Sequence, residues 1–291
     1  MDGRRPRARQ GGEAAVDAAD VRTLPTPCGR MRLLRWPGEP SAPTILFAHS
    51  LGQAAECWEG VARALAPSHR VYALDLPGHG SSDPPADASP DAFAAMLAPS
   101  LEAVADEAQE PPHLVAHAYA APVLALSLDR LPPGFGRSLT LVAPLGVVAP
   151  APGLIPTLPW PQAVAARVLA RSPERVRQAV EPLVFRPEAL PAAAWRSLSR
   201  SLARAEALWR FGPALLASVP PLLPALAALG RSARFVWCER DPVFPVADGE
   251  RAVADAAAAG PRHHQARLAA CGHLPMLEAP GALASLLARR S

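Results

Sequence analysis

Two hydrophobic rhythms alternate along most of the chain. Thr44 to His49 is a continuous apolar run of the kind buried on both faces of a parallel sheet, and Arg70 to Leu76 is another. Between them, Ala54 to Leu65 places Trp58, Val61 and Leu65 on one helical face, so the segment is a strand-helix-strand unit with parallel strands. The rhythm continues with a helix over Phe93 to Ala108, whose Glu102, Asp106 and Glu107 fall on a solvated face. A strand at Leu114 to Ala116 stops abruptly at very small residues, and a helical pattern over Val123 to Arg130 follows. Ser138 to Ala143 is the next strand. Upstream, Arg30 to Trp36 alternates and is closed by Pro37-Gly38, which predicts an edge hairpin strand.

From Pro144 to about Gly230 the strand pattern disappears. Only helical segments broken by proline remain, at Gln162 to Arg171, Ser172 to Val184 and Ala192 to Leu208. Strands return at Ala233 to Cys238 and His264 to Leu268, with helices from Ala247 to Ala259 and at the end through Arg289. The expected fold class is therefore α/β, a mostly parallel central sheet flanked by helices. Its core comprises residues 21–145 and 231–291, and an inserted helical cap occupies 146–230. Trp160, Trp195 and Trp209 in the cap suit a lid lining an apolar pocket or packing within the lobe itself.

Composition narrows the classes of function. The 291 residues are 50% hydrophobic, enough for a large core. The formal charge of +3 is spread along the chain apart from Arg4, Arg5, Arg7 and Arg9, without the basic stripe and aromatic interleaving of a nucleic-acid binder. There is no Lys and no Asn, so a lysine Schiff base is impossible. Met1 to Asp20 has no apolar core and reads as a disordered tail in place of a signal peptide. Val219 to Leu229 is too short and proline-broken to span a membrane. Cys28, Cys57, Cys238 and Cys271 lie far apart, which predicts reduced thiols and a cytoplasmic location. His69, His263 and His264 lack ligand partners at metal spacing, and no metal or other cofactor is expected.

In an open parallel sheet the ligand sits beyond the carboxyl ends of the strands. Four loops there carry distinctive residues: His49 to Gly52, Ala116 to Ala120, Asp241 and His273. With the words Leu74-Asp75-Leu76-Pro77-Gly78-His79-Gly80-Ser81-Ser82-Asp83, Trp237 to Pro245 and Gly272 to Pro280, the chain from about Met31 onward resembles an α/β-hydrolase. The resemblance implies a triad in the order nucleophile, acid, histidine, with Asp241 and His273 in the last two places. It also implies an oxyanion site built from the backbone N–H groups of Leu51 and Tyr119, with His49 and Ser50 in a loop facing substrate. Ser50 departs from the glycine usual after that histidine.

The larger departure is in the nucleophile elbow. The G-x-S-x-G word reads Ala116-His117-Ala118-Tyr119-Ala120, and a methyl at Ala118 cannot attack a carbonyl. Ser50, Ser81 and Ser82 are the hydroxyls of neighbouring loops, and only Ser50 falls beside the oxyanion site. Cys271 reads as a buried small hydrophobe. Three functions remain open. One is an enzyme using Asp241 and His273 as a general base on a small, largely apolar carbonyl or ester substrate. The second is a serine esterase disabled by alanine at 118. The third is a binding protein that keeps the pocket without the chemistry. The partner each implies is a small molecule.

Overall fold

The computed structural model describes residues 19–150, 172–258 and 260–289. Residues 1–18 of the tail expected over Met1 to Asp20 lie outside them, as do Trp160 and the helix expected over Gln162 to Arg171; Asp20, at the end of that expected tail, instead opens the first strand, where it pairs opposite Arg35. The sheet has eight strands in the order β1-β2-β4-β3-β5-β6-β7-β8. These are β1 (Asp20–Thr26), β2 (Gly29–Trp36), β3 (Thr44–Ala48), β4 (Arg70–Leu74), β5 (His113–His117), β6 (Ser138–Val142), β7 (Arg234–Cys238) and β8 (His264–Leu268). Neighbours from β4 through β8 pair in parallel, and β1 and β2 run antiparallel at one side.

The run Arg30 to Trp36 is a strand but not the edge. β1 pairs outside it in full register, from Asp20 opposite Arg35 to Thr26 opposite Gly29. Most of β1 is exposed and it carries Pro25, so it shows no alternation for sequence reading to find. Proline and polar residues are what an edge strand tolerates.

The central strands are mostly apolar because both faces are covered. Leu46, Tyr72, Leu114, Leu139, Leu141 and Phe235 point into one core. Their neighbours Phe47, Val71, Val115, Val142 and Val236 point into the other. The first core is closed by α2 (Pro90–Ala108) and α3 (Ala120–Asp129), the second by α1 (Glu59–Leu65) and the last helix, Pro280–Ala288. Trp58 stacks on Phe47 with centroids 4.5 Å apart, a contact worth about 1 kcal/mol beyond its area. Ser89 caps α2 by accepting the Ala92 N–H at 3.1 Å.

The segment between β6 and β7 contains helices at Pro173–Val180, Ala192–Ala203, Glu206–Phe211, Pro213–Ala217 and Leu222–Ala228. It is tied to the sheet by Ala207 N–H to Gly78 O and Leu222 N–H to Gly146 O, both 2.9 Å. Trp195 is buried, with the Arg177 guanidinium 5.5 Å from its ring. Trp209 donates to the Leu202 carbonyl at 2.6 Å, and both tryptophans join the second core, the one that holds Phe47 and Trp58. Among the described residues no helix is long and apolar enough to cross a membrane.

Candidate active site

β5 ends in a turn too tight for ordinary backbone angles. Ala118 sits at φ 44°, a left-handed conformation that costs a residue with a Cβ roughly 1–2 kcal/mol. Three hydrogen bonds hold it there: Ala118 N–H to Val142 O at 3.0 Å, Ala121 N–H to Ala118 O at 3.1 Å and Leu145 N–H to Ala118 O at 3.2 Å. The elbow thus keeps its strained form without a hydroxyl. Ala116, Ala118 and Ala120 are all buried, which is why the positions flanking the apex take nothing larger than a methyl.

Asp241 and His273 meet beyond the ends of β7 and β8. His273 Nδ1 donates to Asp241 Oδ2 at 2.9 Å, and the carboxylate side chain is only 1% exposed. The other oxygen, Oδ1, accepts the Val243 and Phe244 N–H groups at 2.7 and 3.3 Å. A proton fixed on Nδ1 leaves the Nε2 lone pair as the basic site. The His273 ring packs against Phe244, with centroids 5.5 Å apart, and against His117 at 5.0 Å.

His273 is also anchored through its backbone. His117 Nε2–H donates to the His273 carbonyl at 2.9 Å, joining the elbow to the histidine loop. The His273 N–H donates to Leu183 O, in the segment between β6 and β7, at 2.8 Å. His117 is fully buried, and burial holds its pKa well below the ordinary imidazole value, with the neighbouring His273 acting in the same direction. Glu278 fastens the same loop from below. Its carboxylate accepts the N–H groups of Gly272 (2.9 Å), Leu274 (3.0 Å) and Phe185 (2.8 Å).

The oxyanion loop is built on two buried polar side chains. His49 donates from Nδ1 to its neighbour's carbonyl, Ser50 O, at 2.8 Å and accepts the Leu76 N–H on Nε2 at 3.0 Å. Both ring nitrogens are occupied, so His49 shapes the loop and is not free to meet substrate. Gln53 Oε1 accepts the Ser50 N–H at 3.0 Å. Ser50 Oγ in turn accepts the Tyr119 N–H at 3.2 Å, which joins the loop after β3 to the elbow. The Tyr119 ring packs edge-on against Phe93 with centroids 5.6 Å apart, and its hydroxyl is buried without a partner among the described residues.

Of the other hydroxyls, Ser82 Oγ donates to Asp75 O at 2.8 Å and accepts the Arg32 N–H at 2.9 Å, a structural role. Cys271 is fully buried. Sequence reading passed over Gln53, Glu278 and the tie made by His117. Gln53 lies within the oxyanion loop and Glu278 within the word that carries His273, but nothing in either word shows that the side chain turns back onto loop N–H groups.

A family model described as "Alpha/beta hydrolase family" matches residues 45–286. The chain is 36% identical over 100 residues to a pimeloyl-[acyl-carrier protein] methyl ester esterase of Methylococcus capsulatus, covering 34% of this chain and 36% of that one. It is 40% identical over 83 residues to an esterase of Mycobacterium tuberculosis, covering 28% of this chain and 26% of that one. The matched stretches thus span about a third of the length of these curated relatives. A solved 2-hydroxy-6-oxo-6-phenylhexa-2,4-dienoate hydrolase from Rhodococcus sp. strain RHA1 superposes with TM-score 0.71 at 19% identity, covering 92% of this chain and 97% of that one. A bacterial membrane phospholipase A superposes with TM-score 0.74 at 24% identity, covering 93% and 84%. At these identities the likeness to solved structures is one of fold.

Proposed function

The chain belongs to the alpha/beta hydrolase family, and from that premise we propose that it is an enzyme acting on a small, largely apolar carbonyl or ester substrate without a serine acyl-enzyme. The observation that carries the reading is the 2.9 Å contact of His273 Nδ1 with Asp241 beside an elbow whose apex is Ala118. With its Nδ1 proton committed to Asp241, His273 takes a proton from water on Nε2. The water oxygen adds to the substrate carbonyl, and the oxyanion site at Leu51 and Tyr119 stabilises the resulting oxyanion. Collapse breaks the bond to the leaving oxygen, which takes the proton back from His273. The same base removes a C–H proton beside a carbonyl if the substrate offers one. General-base catalysis contributes about 100- to 10,000-fold, and a residual oxyanion site adds to it.

A second reading, a serine esterase disabled at position 118, is favoured by the left-handed Ala118 and its three backbone hydrogen bonds, which preserve a serine's setting. Against it, Ala116 and Ala120 replace both flanking glycines, which a single change at 118 does not produce. A binding protein has no use for a buried acid-histidine pair, and this argues against the third reading.

The test is steady-state turnover of short aryl esters by the chain, by His273→Ala and by Ala118→Ser. The proposal expects slow turnover that falls about 100- to 10,000-fold in His273→Ala. No turnover on any ester, or turnover indifferent to His273→Ala, refutes it. Turnover that arises only in Ala118→Ser supports the second reading in its place.

A further inference from the structure

Ser50 occupies a place no backbone donor leaves free. Its N–H is taken by Gln53 Oε1, and its carbonyl accepts from both His49 Nδ1 and the Gln53 N–H. Only the hydroxyl remains to act. That hydroxyl accepts the Tyr119 N–H at 3.2 Å, so its oxygen stands where the oxygen of a substrate carbonyl would otherwise receive the elbow's donor. Its proton has no acceptor among the described residues, and the residue is 8% exposed, so little water competes for it.

Resting on the general-base reading above, the geometry points to Ser50 as a catalytic hydroxyl that relays the Tyr119 N–H to the substrate's carbonyl oxygen and holds that carbonyl off the elbow. An O–H whose oxygen already accepts a hydrogen bond is polarised and donates more strongly. It also adds one O–H···O length, about 2.7 Å, between the elbow N–H and the carbonyl. A carbonyl set back by that distance sits too far for attack by a side chain at position 118 but leaves a water-sized space above the Ala118 methyl. The serine at 50 and the alanine at 118 are thus two halves of one arrangement, in which His273 directs a water and not a side chain at the carbonyl. No bond to Ser50 forms: its proton is shared with the oxyanion and stays on Oγ when the intermediate collapses.

The relay predicts that removing the Ser50 hydroxyl has opposite effects in two backgrounds. In the chain as it stands, Ser50→Gly lowers kcat on 4-nitrophenyl acetate about 10- to 100-fold, and Ser50→Thr, which keeps the hydroxyl, retains most of it. In the Ala118→Ser background, Ser50→Gly lets the carbonyl or phosphoryl oxygen move onto the Tyr119 N–H. The rate of covalent labelling by a fluorophosphonate then rises at least tenfold over Ala118→Ser alone. Labelling no faster in the double variant overturns the proposal. So does fluorophosphonate attachment to Ser50 in the unaltered chain, found by peptide mass spectrometry, which would make Ser50 a nucleophile. Absence of ester turnover in the unaltered chain refutes the general-base reading alone, because the labelling comparison does not depend on it.

Discussion

Lowering the pH should destabilise this protein well before its carboxylates are neutralised, and His79 shows why. The residue is fully buried next to the oxyanion loop, 5.5 Å from the His49 ring. Its Nδ1–H donates to Pro77 O at 3.0 Å, and Nε2 has no partner among the described residues, so a second proton would be a buried charge with none of them to pair it. Burial, with the His49 charge acting in the same direction, depresses its pKa from 6.5 to about 3. The unfolded chain takes up this proton near 6.5 and the folded chain only near 3, so stability present above 6.5 is lost as pH falls between those values. At pH 5 the unfolded state gains RT ln(1 + 10^1.5), about 2 kcal/mol from His79 alone. Burial lowers the pKa of His49 and His117 as well, so they add in the same direction. Against a typical stability of about 5–15 kcal/mol this is a large fraction. Urea unfolding at about pH 7.5 and pH 5 measures it, with His79→Gln as the control whose pH dependence should be shallower by about 2 kcal/mol. Equal stabilities at the two pH values, or an unchanged pH dependence in His79→Gln, would refute the reasoning.

Two further outcomes follow from the loops that hold the site. Glu278→Ala removes the acceptor of three N–H groups, two in the histidine loop and one in the cap, and should cost about 3 kcal/mol in chemical denaturation. It should also lower turnover more than a surface control such as Glu59→Ala, since the His273 loop loses its footing. Gly80→Ala should lower the Tm by several degrees: Gly80 has φ 57°, and a Cβ there overlaps the carboxylate of the fully buried Asp75. That carboxylate receives the Ala55 N–H at 2.7 Å, the Ser81 N–H at 2.9 Å and Arg32 at 3.0 Å, so it has nowhere to move.

The central architecture was legible in the chain because it depends on local pattern. A strand covered on both faces is mostly apolar along its length, and β3 to β7 announce themselves that way despite polar residues such as Arg70, His113 and Thr140; the helices between them show one apolar face. β8 is mostly exposed along its length and was found from its place in the alternation. β1 is not legible because it is an edge strand, mostly exposed, and needs no apolar alternation. The candidate acid and base were legible because each follows a strand in a word of fixed composition. What tertiary structure alone decided is how the site is fastened: which carbonyl His117 holds, which N–H groups Glu278 and Gln53 turn back to accept, and that the Ser50 hydroxyl covers the Tyr119 N–H. Residues 50 and 119, or 117 and 273, are far apart along the chain. A hydrogen bond between them depends on loop geometry at the sheet's end, and no local periodicity encodes that. The sequence by itself determined that the apex of the elbow is a methyl. Only the folded chain shows a hydroxyl from another loop accepting the N–H of the residue that follows it.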